Sequence, residues 1–545
     1  MSTAPQTAVR DQARLPTSRT APSSGAARAF HRLFRLPLVF ASLLVTMLVY
    51  LTVSTGGKVV TAIADPDIWW HLRDASLLLG SGHFIRADSL TYTVAGKPWL
   101  NFEWLADLPY YFAYRTFGDV GVYCVMILTA GAILAGIYYL GCLRSGNCKT
   151  AFPAAVLGFL LASVSLGPRT LLFGWLFLVI ELAILWNYQR GRDYTLFLPP
   201  LFLLWINTHG SWFIGFVLFC VWFACGLVRL DRGYLTARRF EPHQLRRLVP
   251  VAAASFALLF VNPYGWRLVA YPLDVAFRQK LTLQYIAEWG TLDFHSARGK
   301  IFLLTFLLLA VLQLIRPRRW TLQDLAFLAI ALYGGVTYVR FTFLTGIVVT
   351  PLLAASAAPF FKPYDEPGDP RRANAVSFAI LIGVIAFLFP TAQKLHAGIV
   401  ESYPEKAIPY VRSLAPQAAT PGNRLFTDFN WGAYLEYQVP QVPEFIDSRV
   451  DIFVHEGVLA DYIKASQLHD PFAVFDKYGI RTVLLDKHKD DALVCLLSHT
   501  PGWHKTYDDG LAIAFQRDKS VVSAGQPLPG KSNTLPDSSR KTSLR

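Results

Sequence analysis

Long runs of apolar residues dominate the chain from residue 36 to residue 392, and polar residues gather in the short segments between these runs. A helix needs about 20 mostly apolar residues to cross a hydrocarbon core about 30 Å thick. Measured against this length, the pattern predicts about eleven membrane-spanning helices. Their predicted positions are 36–55, 119–141, 151–167, 171–188, 194–208, 211–229, 248–262, 301–316, 322–338, 341–360 and 375–392.

The two ends of the chain have a different pattern. Residues 1–35 are rich in Ala, Ser, Thr, Pro and Arg without apolar periodicity, so they are predicted to form a disordered basic arm. Residues 396–518 alternate short apolar runs with helical stretches, which is typical of a small α/β domain with a largely parallel sheet. Residues 519–545 are again predicted to be disordered. The predicted fold class is an α-helical polytopic membrane protein, spanning 36–395, with a small C-terminal α/β domain.

Composition supports this division. Hydrophobic residues make up 53% of the chain and charged residues only 16%, whereas a soluble protein has about 25% charged residues. A wholly soluble enzyme is therefore excluded. The net charge of +14 comes from Lys and Arg scattered over short loops, with no RNA-binding or DNA-binding module, so nucleic acid is not an expected partner.

Basic residues also indicate which loops face the cytoplasm. If the basic arm stays there, every second loop should be enriched in Lys and Arg. Four of the five such loops are, and the fifth, around 362–372, is electrically balanced. The basic residues of the four loops are Arg144, Lys149, Arg190, Arg192, Arg229, Arg232, Arg238, Arg239, Arg246, Arg247, Arg316, Arg318 and Arg319. An odd number of spans then places the C-terminal domain on the extracytoplasmic side.

Ionisable residues collect in the predicted outer loops. The first of these, 54–120, is the longest segment between spans and holds a dense set of acids and basic groups. That set is Asp65, Asp67, His71, Arg73, Asp74, Asp88 and Glu103. The spans are almost free of charge, with Glu181 as the clearest exception. Because ionisable groups at membrane depth cost about 2.5–3.5 kcal/mol each, those that persist usually face a cavity. A polar pocket that opens outward is therefore predicted.

The segment from Asp65 to Asp74 carries the most specific pattern. Asp65 followed by Pro66 predicts a helix N-cap with proline at the first helical position, and Gly80–Gly82 predicts the end of that helix. Asp67, His71 and Asp74 are spaced i, i+4 and i+7, so they share one face. A carboxylate there is suited to act as a general base toward an acceptor hydroxyl. Alternatively, Asp67 and His71 bind a divalent cation.

Each of these residue types also has a structural explanation. Asp65 is explained equally well as a helix cap alone. Arg169 and Arg340 either hold a phosphate or pair with a carboxylate, and His209, beside a glycine at a span end, is typical of a hydrogen-bonded structural histidine. Four tryptophans of the first outer loop are interpreted as interfacial anchors in preference to sugar-stacking platforms. These are Trp69, Trp70, Trp99 and Trp104.

Two motifs of the first outer loop carry a resemblance. The loop opens with Asp-Pro-Asp-Ile-Trp-Trp-His-Leu (65–72) and closes with Lys-Pro-Trp-Leu-Asn-Phe-Glu-Trp-Leu (97–105). After a basic arm and one span, this arrangement resembles the bacterial multi-span membrane glycosyltransferases of the GT-C superfamily, which include relatives of protein mannosyltransferases, aminoarabinose transferases and oligosaccharyltransferases. The likeness covers 36–395. The tail segments 423–435 and 445–451 also resemble the tails of uncharacterised members of that group.

The resemblance implies an inverting glycosyltransferase of the bacterial cytoplasmic (inner) membrane. Its donor would be a sugar on a polyprenyl phosphate, reached from the membrane lipid, and its acceptor a hydroxyl or amine on a lipid, glycan or protein. Asp65 or Asp67 matches the catalytic acid. Some branches of the superfamily need a divalent cation such as Mg or Mn, so the cofactor stays open. The residues expected to bind substrate are His71, Glu103, Arg169, Asn207, His209 and Arg340.

Two other classes of function fit parts of the pattern. A transporter or flippase of a lipid-linked or anionic substrate would explain the many spans, but the polar residues cluster at one face and no inverted repeat is evident. A membrane-anchored interaction protein would use the outer α/β domain, with the spans as a scaffold.

Overall fold

The chain is a multi-pass membrane protein, and a computed structural model describes its residues 29–30, 33–54, 63–163, 166–418 and 420–518. Most of the predicted arm 1–35 and all of the predicted tail 519–545 lie outside the described residues. The helices of the membrane part are α1 (Leu36–Ser54), α2 (Asp67–Ser81), α3 (Trp104–Phe117), α4 (Asp119–Ser145), α5 (Cys148–Ala162), α6 (Leu171–Gln189), α7 (Leu198–Ile206), α8 (Trp212–Cys225), α9 (Pro242–Leu258), α10 (Trp266–Arg278), α11 (Lys280–Tyr285), α12 (Ala297–Ile315), α13 (Leu322–Thr337), α14 (Thr342–Ala357) and α15 (Arg371–Leu388).

A helix lies at every predicted span position. Within the described ranges, six helices are long and apolar enough to cross a membrane, by length and composition. Four more are shorter apolar helices, which are α5, α13, a segment at Thr195–Ile206 that includes α7, and α8. The predicted span 248–262 corresponds to α9, which begins six residues earlier because Glu241 and Gln244 form a capping box ahead of it. Glu181 is fully buried in α6, and neither of its carboxylate oxygens has a hydrogen-bond partner in the described structure.

Helix α14 is the centre of the membrane part, because nearly all of its residues are buried. It crosses α5 where Gly346 meets Gly158. A Cβ at Gly346 would lie 2.5 Å from the carbonyl oxygen of Gly158, so only glycine permits this approach. Near one end, Phe343 of α14 stacks on Trp175 of α6 with ring centroids 4.6 Å apart. This packing fixes the ends of α6 and α14, where Arg169 and Arg340 precede the two helices.

Loops that the sequence assigns to the same side contact one another. Arg144 bonds to Gln189 and pairs with Asp324. Three short strands, β1 (Leu230–Arg232), β2 (Leu235–Ala237) and β3 (Trp320–Thr321), join two further loops of that set into one sheet. At the other end, the first outer loop contacts the predicted outer loops around residues 169, 207 and 263. This grouping agrees with the predicted alternation of loops.

The first outer loop folds as predicted around α2. Pro66 has helical dihedral angles, and the Asp65 carboxylate accepts a hydrogen bond from the Asp67 N–H at 3.0 Å. Helix α2 ends at Gly82, whose φ of 70° lies in the left-handed region that favours glycine. Helix α3 packs against α2 and begins immediately after Glu103. The two helices thus face each other with their polar residues between them.

The C-terminal domain contains seven helices and a four-stranded sheet. The helices are α16 (Ala392–Ser402), α17 (Ile408–Ala418), α18 (Gly432–Gln438), α19 (Val450–His455), α20 (Val458–Ser466), α21 (Pro471–Tyr478) and α22 (Asp491–His499). The strands are β4 (Arg424–Thr427), β5 (Ile480–Asp486), β6 (Trp503–Asp508) and β7 (Ala512–Arg517). Their order in the sheet is β4-β5-β7-β6, and only β4 and β5 are parallel. The prediction of a largely parallel sheet is therefore wrong, because β6 is an exposed, mostly polar strand that the apolar pattern did not reveal.

The C-terminal domain packs directly on the first outer loop. Trp69 contacts the rings of Tyr403 and Tyr434, and the hydroxyl of Tyr92 donates to the carbonyl of Leu425 at 2.8 Å. Trp69, Trp70 and Trp99 are consequently at most 6% exposed. Their interpretation as interfacial anchors is wrong, because the C-terminal domain covers Trp69 and Trp99, and Trp70 packs against His71 and Trp99 of its own loop. Trp104 is half-buried and donates its indole N–H to Asn207.

A candidate active site of acids, histidines and arginines

Arg169 joins three segments of the chain that are distant in sequence. Its Nε lies 2.5 Å from Asp65 Oδ2, and its Nη1 lies 2.5 Å from Glu288 Oε1. Burial alone would lower the pKa of Arg169, but the charges of Asp65, Asp67 and Glu288 raise it, so the guanidinium stays charged. Burial raises the pKa of Asp65, and the charge of Arg169 partly offsets that effect. Asp65 is therefore both a helix cap and the ion-pair partner of Arg169.

A second arginine approaches the same glutamate. Arg340 Nη1 lies 3.6 Å from Glu288 Oε2, and its guanidinium lies 5.4 Å above the ring of Trp289. Glu288 thus stands between Arg169 and Arg340, with one carboxylate oxygen toward each. Two cations held by one carboxylate form an arrangement that also suits a phosphate group, which offers oxygens in several directions.

Asp67 is the open carboxylate of the site. It is half-buried at the start of α2, and its side chain makes no hydrogen bond or ion pair with the other described residues. Its charge nevertheless acts on its neighbours, since it raises the pKa values of Asp65, His71 and Arg169. Of the two candidate catalytic acids, Asp65 is paired with Arg169, whereas Asp67 has no such partner among the described residues.

His71 and Asp107 form a buried pair between α2 and α3. His71 Nδ1 lies 2.7 Å from Asp107 Oδ1. The amide of Asn101 donates to the other oxygen of Asp107 at 2.8 Å and to Asp74 at 3.1 Å. Burial lowers the pKa of His71, but the charge and hydrogen bond of Asp107 outweigh it and raise that pKa to about 9. Burial raises the pKa of Asp107 by more than His71 and Asn101 lower it.

Glu103 lies between two histidines. Its Oε2 is 3.5 Å from His71 Nε2, and its Oε1 is 3.3 Å from His209 Nε2. Burial raises the pKa of Glu103 to about 7 despite the opposing charge of His71. A carboxyl group that titrates near neutrality can exchange a proton at physiological pH.

The hydrogen bonds of His209 define its tautomer. Its Nδ1 accepts the Ser211 backbone N–H at 2.9 Å, so the proton of the neutral ring sits on Nε2 and points to Glu103. Burial and the charge of Arg340 lower the pKa of His209 well below its usual range. His209 therefore acts as a neutral donor beside a charged His71.

Two asparagines lie beside these groups, and only one of them, Asn207, was predicted from the sequence. Asn207 uses its side-chain oxygen to accept from Trp104 and its amide to donate to the carbonyls of Leu203 and Val261. These contacts support the loop, so a role in substrate binding stays a prediction. Asn101, which bridges two carboxylates, was not identified from the sequence. Its place within the 97–105 motif, two residues before Glu103, is the signal by which it could have been found.

The alternative that Asp67 and His71 share a divalent cation can be compared with the positions of these side chains in the described residues. Both ring nitrogens of His71 face Asp107 and Glu103 rather than a shared site with Asp67. In the part of the chain that the structure describes, no group of three or more His, Cys, Asp or Glu side chains is arranged to hold a metal ion.

Comparisons with known proteins identify the fold. No family model matches the chain, and no curated protein sequence does. Two crystal structures of the Archaeoglobus fulgidus oligosaccharyltransferase, one tethered to an acceptor peptide and one apo, each have a TM-score of 0.51 and 14% identity. They cover 90% and 89% of this chain, and 74% of each solved chain is covered. ArnT from Cupriavidus metallidurans bound to undecaprenyl phosphate has a TM-score of 0.44 and 13% identity, covering 89% of this chain and 98% of that one.

Proposed function

We propose that this chain, which has the fold of the GT-C glycosyltransferases, transfers a sugar from a polyprenyl-phosphate donor to a lipid, glycan or protein acceptor on the outer face of the membrane. One observation carries the proposal. The charge of the Asp67 carboxylate acts on Arg169, and Arg169 shares Glu288 with a second arginine, Arg340. A base and a cationic cradle in one place are the two elements that sugar transfer from a phosphate requires.

Asp67 is the proposed general base. The acceptor hydroxyl or amine gives its proton to the Asp67 carboxylate while its oxygen or nitrogen attacks the anomeric carbon of the donor. Asp65 serves a different purpose, since it caps α2 and orients Arg169. This division assigns separate roles to two aspartates that the sequence left equivalent.

Arg169 and Arg340 are the proposed phosphate cradle. As the bond between the sugar and the phosphate breaks, negative charge develops on the leaving polyprenyl phosphate, and two guanidinium groups stabilise it. In the structure the carboxylate of Glu288 stands between these groups, so the donor phosphate takes over contacts that Glu288 makes in its absence. A single displacement of this kind inverts the anomeric centre.

The histidines and Glu103 complete the site. His71 carries a positive charge held by Asp107, and Glu103 lies between it and the neutral His209. These groups are placed to hydrogen-bond the sugar or the acceptor beside the base. Polar side chains at the outer ends of the helices, rather than at the membrane midplane, favour transfer over transport.

The direct test is sugar transfer by the purified chain in liposomes that contain radiolabelled polyprenyl-phosphate sugars, with an added cell-envelope fraction that supplies lipid, glycan and protein acceptors. We expect label to leave the polyprenyl phosphate for a lipid, glycan or protein fraction. Export of the intact labelled donor across the bilayer without any transfer would contradict the proposal and favour a flippase.

A further inference from the structure

We propose that Arg449 of the C-terminal domain is a positioning residue of the candidate active site. It fixes Trp99 and Asp88 of the first outer loop, and through them the side chains that hold His71. The C-terminal domain then completes the site rather than only covering it. The role assigned to the site rests on the proposed function, whereas the structural connection does not.

Arg449 is among the most buried charges of the described structure. Its side chain is 1% exposed. Its Nη2 lies 2.7 Å from Asp88 and 2.5 Å from Asp447, and its Nε bonds to both oxygens of Asp447 at 3.0 Å. Asp88 in turn accepts hydrogen bonds from the backbone and hydroxyl of Thr91. One guanidinium thus ties the C-terminal domain to a turn of the first outer loop.

A continuous series of contacts leads from Arg449 to His71. The guanidinium lies 5.2 Å above the ring of Trp99, whose indole N–H donates to Asp74 at 3.3 Å. Asp74 shares the amide of Asn101 with Asp107, and Asp107 holds His71. Every side chain of this series is buried. Because these buried side chains pack directly against one another, a displacement of Arg449 is transmitted to His71.

Charge balance gives Arg449 a second effect on the same series. Arg449 interacts electrostatically with four buried acids, which are Asp74, Asp88, Glu436 and Asp447. Removing one partner of a buried ion pair leaves the remaining charge without compensation. Loss of Arg449 would therefore drive Asp88 and Asp447 apart, release Trp99, and remove the charge that favours the ionised form of Asp74 beside Asp107.

This role explains a motif that catalysis does not use. Asp447 and Arg449 belong to Phe-Ile-Asp-Ser-Arg-Val-Asp at 445–451, in a domain that contributes none of the acids, histidines or arginines of the candidate site. Arg424 offers an internal comparison. It comes from the same domain and lies 4.7 Å above the ring of Tyr92 in the same outer loop, but it contacts none of the carboxylates that lead to His71.

The test compares Arg449→Met with the matched variant Arg424→Met in the purified full-length chain. The first readout is the rate of hydrogen–deuterium exchange in the segment 97–107, which can be measured without an activity assay. We expect this rate to rise in Arg449→Met and to stay at the wild-type level in Arg424→Met. With the radiolabelled polyprenyl-phosphate sugar as donor, we expect Arg449→Met to lower kcat about 100-fold with an unchanged KM. If Arg449→Met does not fold, Arg449→Lys is the substitute, because lysine keeps the positive charge but lacks the planar guanidinium with its several N–H donors. It should change the exchange rate and kcat in the same direction as Arg449→Met, but by less.

A second-site change distinguishes positioning from general loss of stability. Asp74→Asn keeps the acceptor for Trp99 and Asn101 but removes the charge, so in the Arg449→Met background it should restore kcat by about tenfold. Equal loss of kcat in Arg449→Met and Arg424→Met, or wild-type exchange at 97–107 in Arg449→Met, would overturn the inference. An inactive wild-type chain contradicts the proposed function instead, and the exchange pattern then decides the inference by itself.

Discussion

His71 Nδ1 lies 2.7 Å from Asp107 Oδ1, and neither side chain is more than 2% exposed. The pair connects α2 to α3 without water between them, and it keeps His71 charged at neutral pH. This imidazolium lies 3.5 Å from Glu103, whose other carboxylate oxygen lies 3.3 Å from His209. The buried pair is thus the structural centre of the candidate site.

Asp107→Asn should destabilise the protein by about 3–5 kcal/mol, because it leaves a buried imidazole without its anion. The folded pKa of His71, about 9, lies above the unfolded value of about 6.5. Its stabilising contribution is therefore fully present below the unfolded pKa and is lost as pH rises through the folded one. Thermal unfolding in detergent should show a larger difference between wild type and Asp107→Asn at low pH than at high pH.

The pair of the exposed His396 with the half-buried Asp119 provides the control for this variant. It has the same chemistry, but the His396 side chain is 53% exposed, and surface ion pairs contribute only about 0–1 kcal/mol. Asp119→Asn should therefore change the unfolding temperature little. The account of the buried pair would be contradicted if Asp107→Asn lowered the unfolding temperature as little as Asp119→Asn does, or if its effect did not depend on pH.

Glu103→Gln should change how stability depends on pH. Burial raises the folded pKa of Glu103 to about 7, above its unfolded value, so the contribution of Glu103 to stability is greatest at low pH and is lost as pH rises through 7. Glutamine keeps the shape without the cost of ionisation. The unfolding temperature of Glu103→Gln relative to wild type should therefore be higher at pH 8.5 than at pH 5.5. If the difference in unfolding temperature between Glu103→Gln and wild type were the same at both pH values, it would argue against the raised pKa of Glu103. Glu401→Gln, which changes an exposed carboxylate, is the control.

Arg340→Ala should weaken donor binding without unfolding the protein. Arg340 is half-buried, with its side chain beside Glu288 and Trp289, so its removal costs little packing. Loss of one charged contact to a phosphate should lower affinity for a polyprenyl-phosphate sugar roughly 10- to 100-fold. Equilibrium binding in detergent measures the effect, with Arg267→Ala, an exposed arginine of α10, as the matched control. An unchanged Kd in Arg340→Ala would remove Arg340 from the phosphate cradle.

The orientation of the chain leads to a separate prediction. With the basic loops in the cytoplasm, a periplasm-active reporter fused after Asp518 should be active, and the same reporter in the loop after Arg232 should be inactive. The reverse pattern would place the candidate site on the cytoplasmic side and would contradict a site on the outer face.

Local sequence patterns predicted the membrane part well. Apolar runs located the helices, and Asp65-Pro66 located the start of α2, because both depend on residues close together in sequence. The sheet of the C-terminal domain was only partly predictable. Strand β6 is mostly polar and exposed, so its place in the sheet depends on pairing with β7 and not on its own apolar pattern.

Contacts between distant segments account for what the sequence missed. Trp69 and Trp99 resemble membrane anchors until the C-terminal domain covers them. Arg449 and Asp74 are far apart in the chain, and neither carries a local signal for the other. The separate roles of Asp65 and Asp67 depend on the position of Arg169, which comes from another loop.

The rate of sugar transfer by Asp67→Asn tests the central claim most directly. Asparagine keeps the size of the side chain but cannot accept the acceptor's proton, so kcat should fall about 100- to 10,000-fold, while donor binding and the unfolding temperature stay at wild-type values. Asp65→Asn should instead weaken donor binding, because Arg169 loses its partner. A wild-type kcat in Asp67→Asn, measured on folded protein that binds the donor, would contradict the assignment of Asp67 as the base.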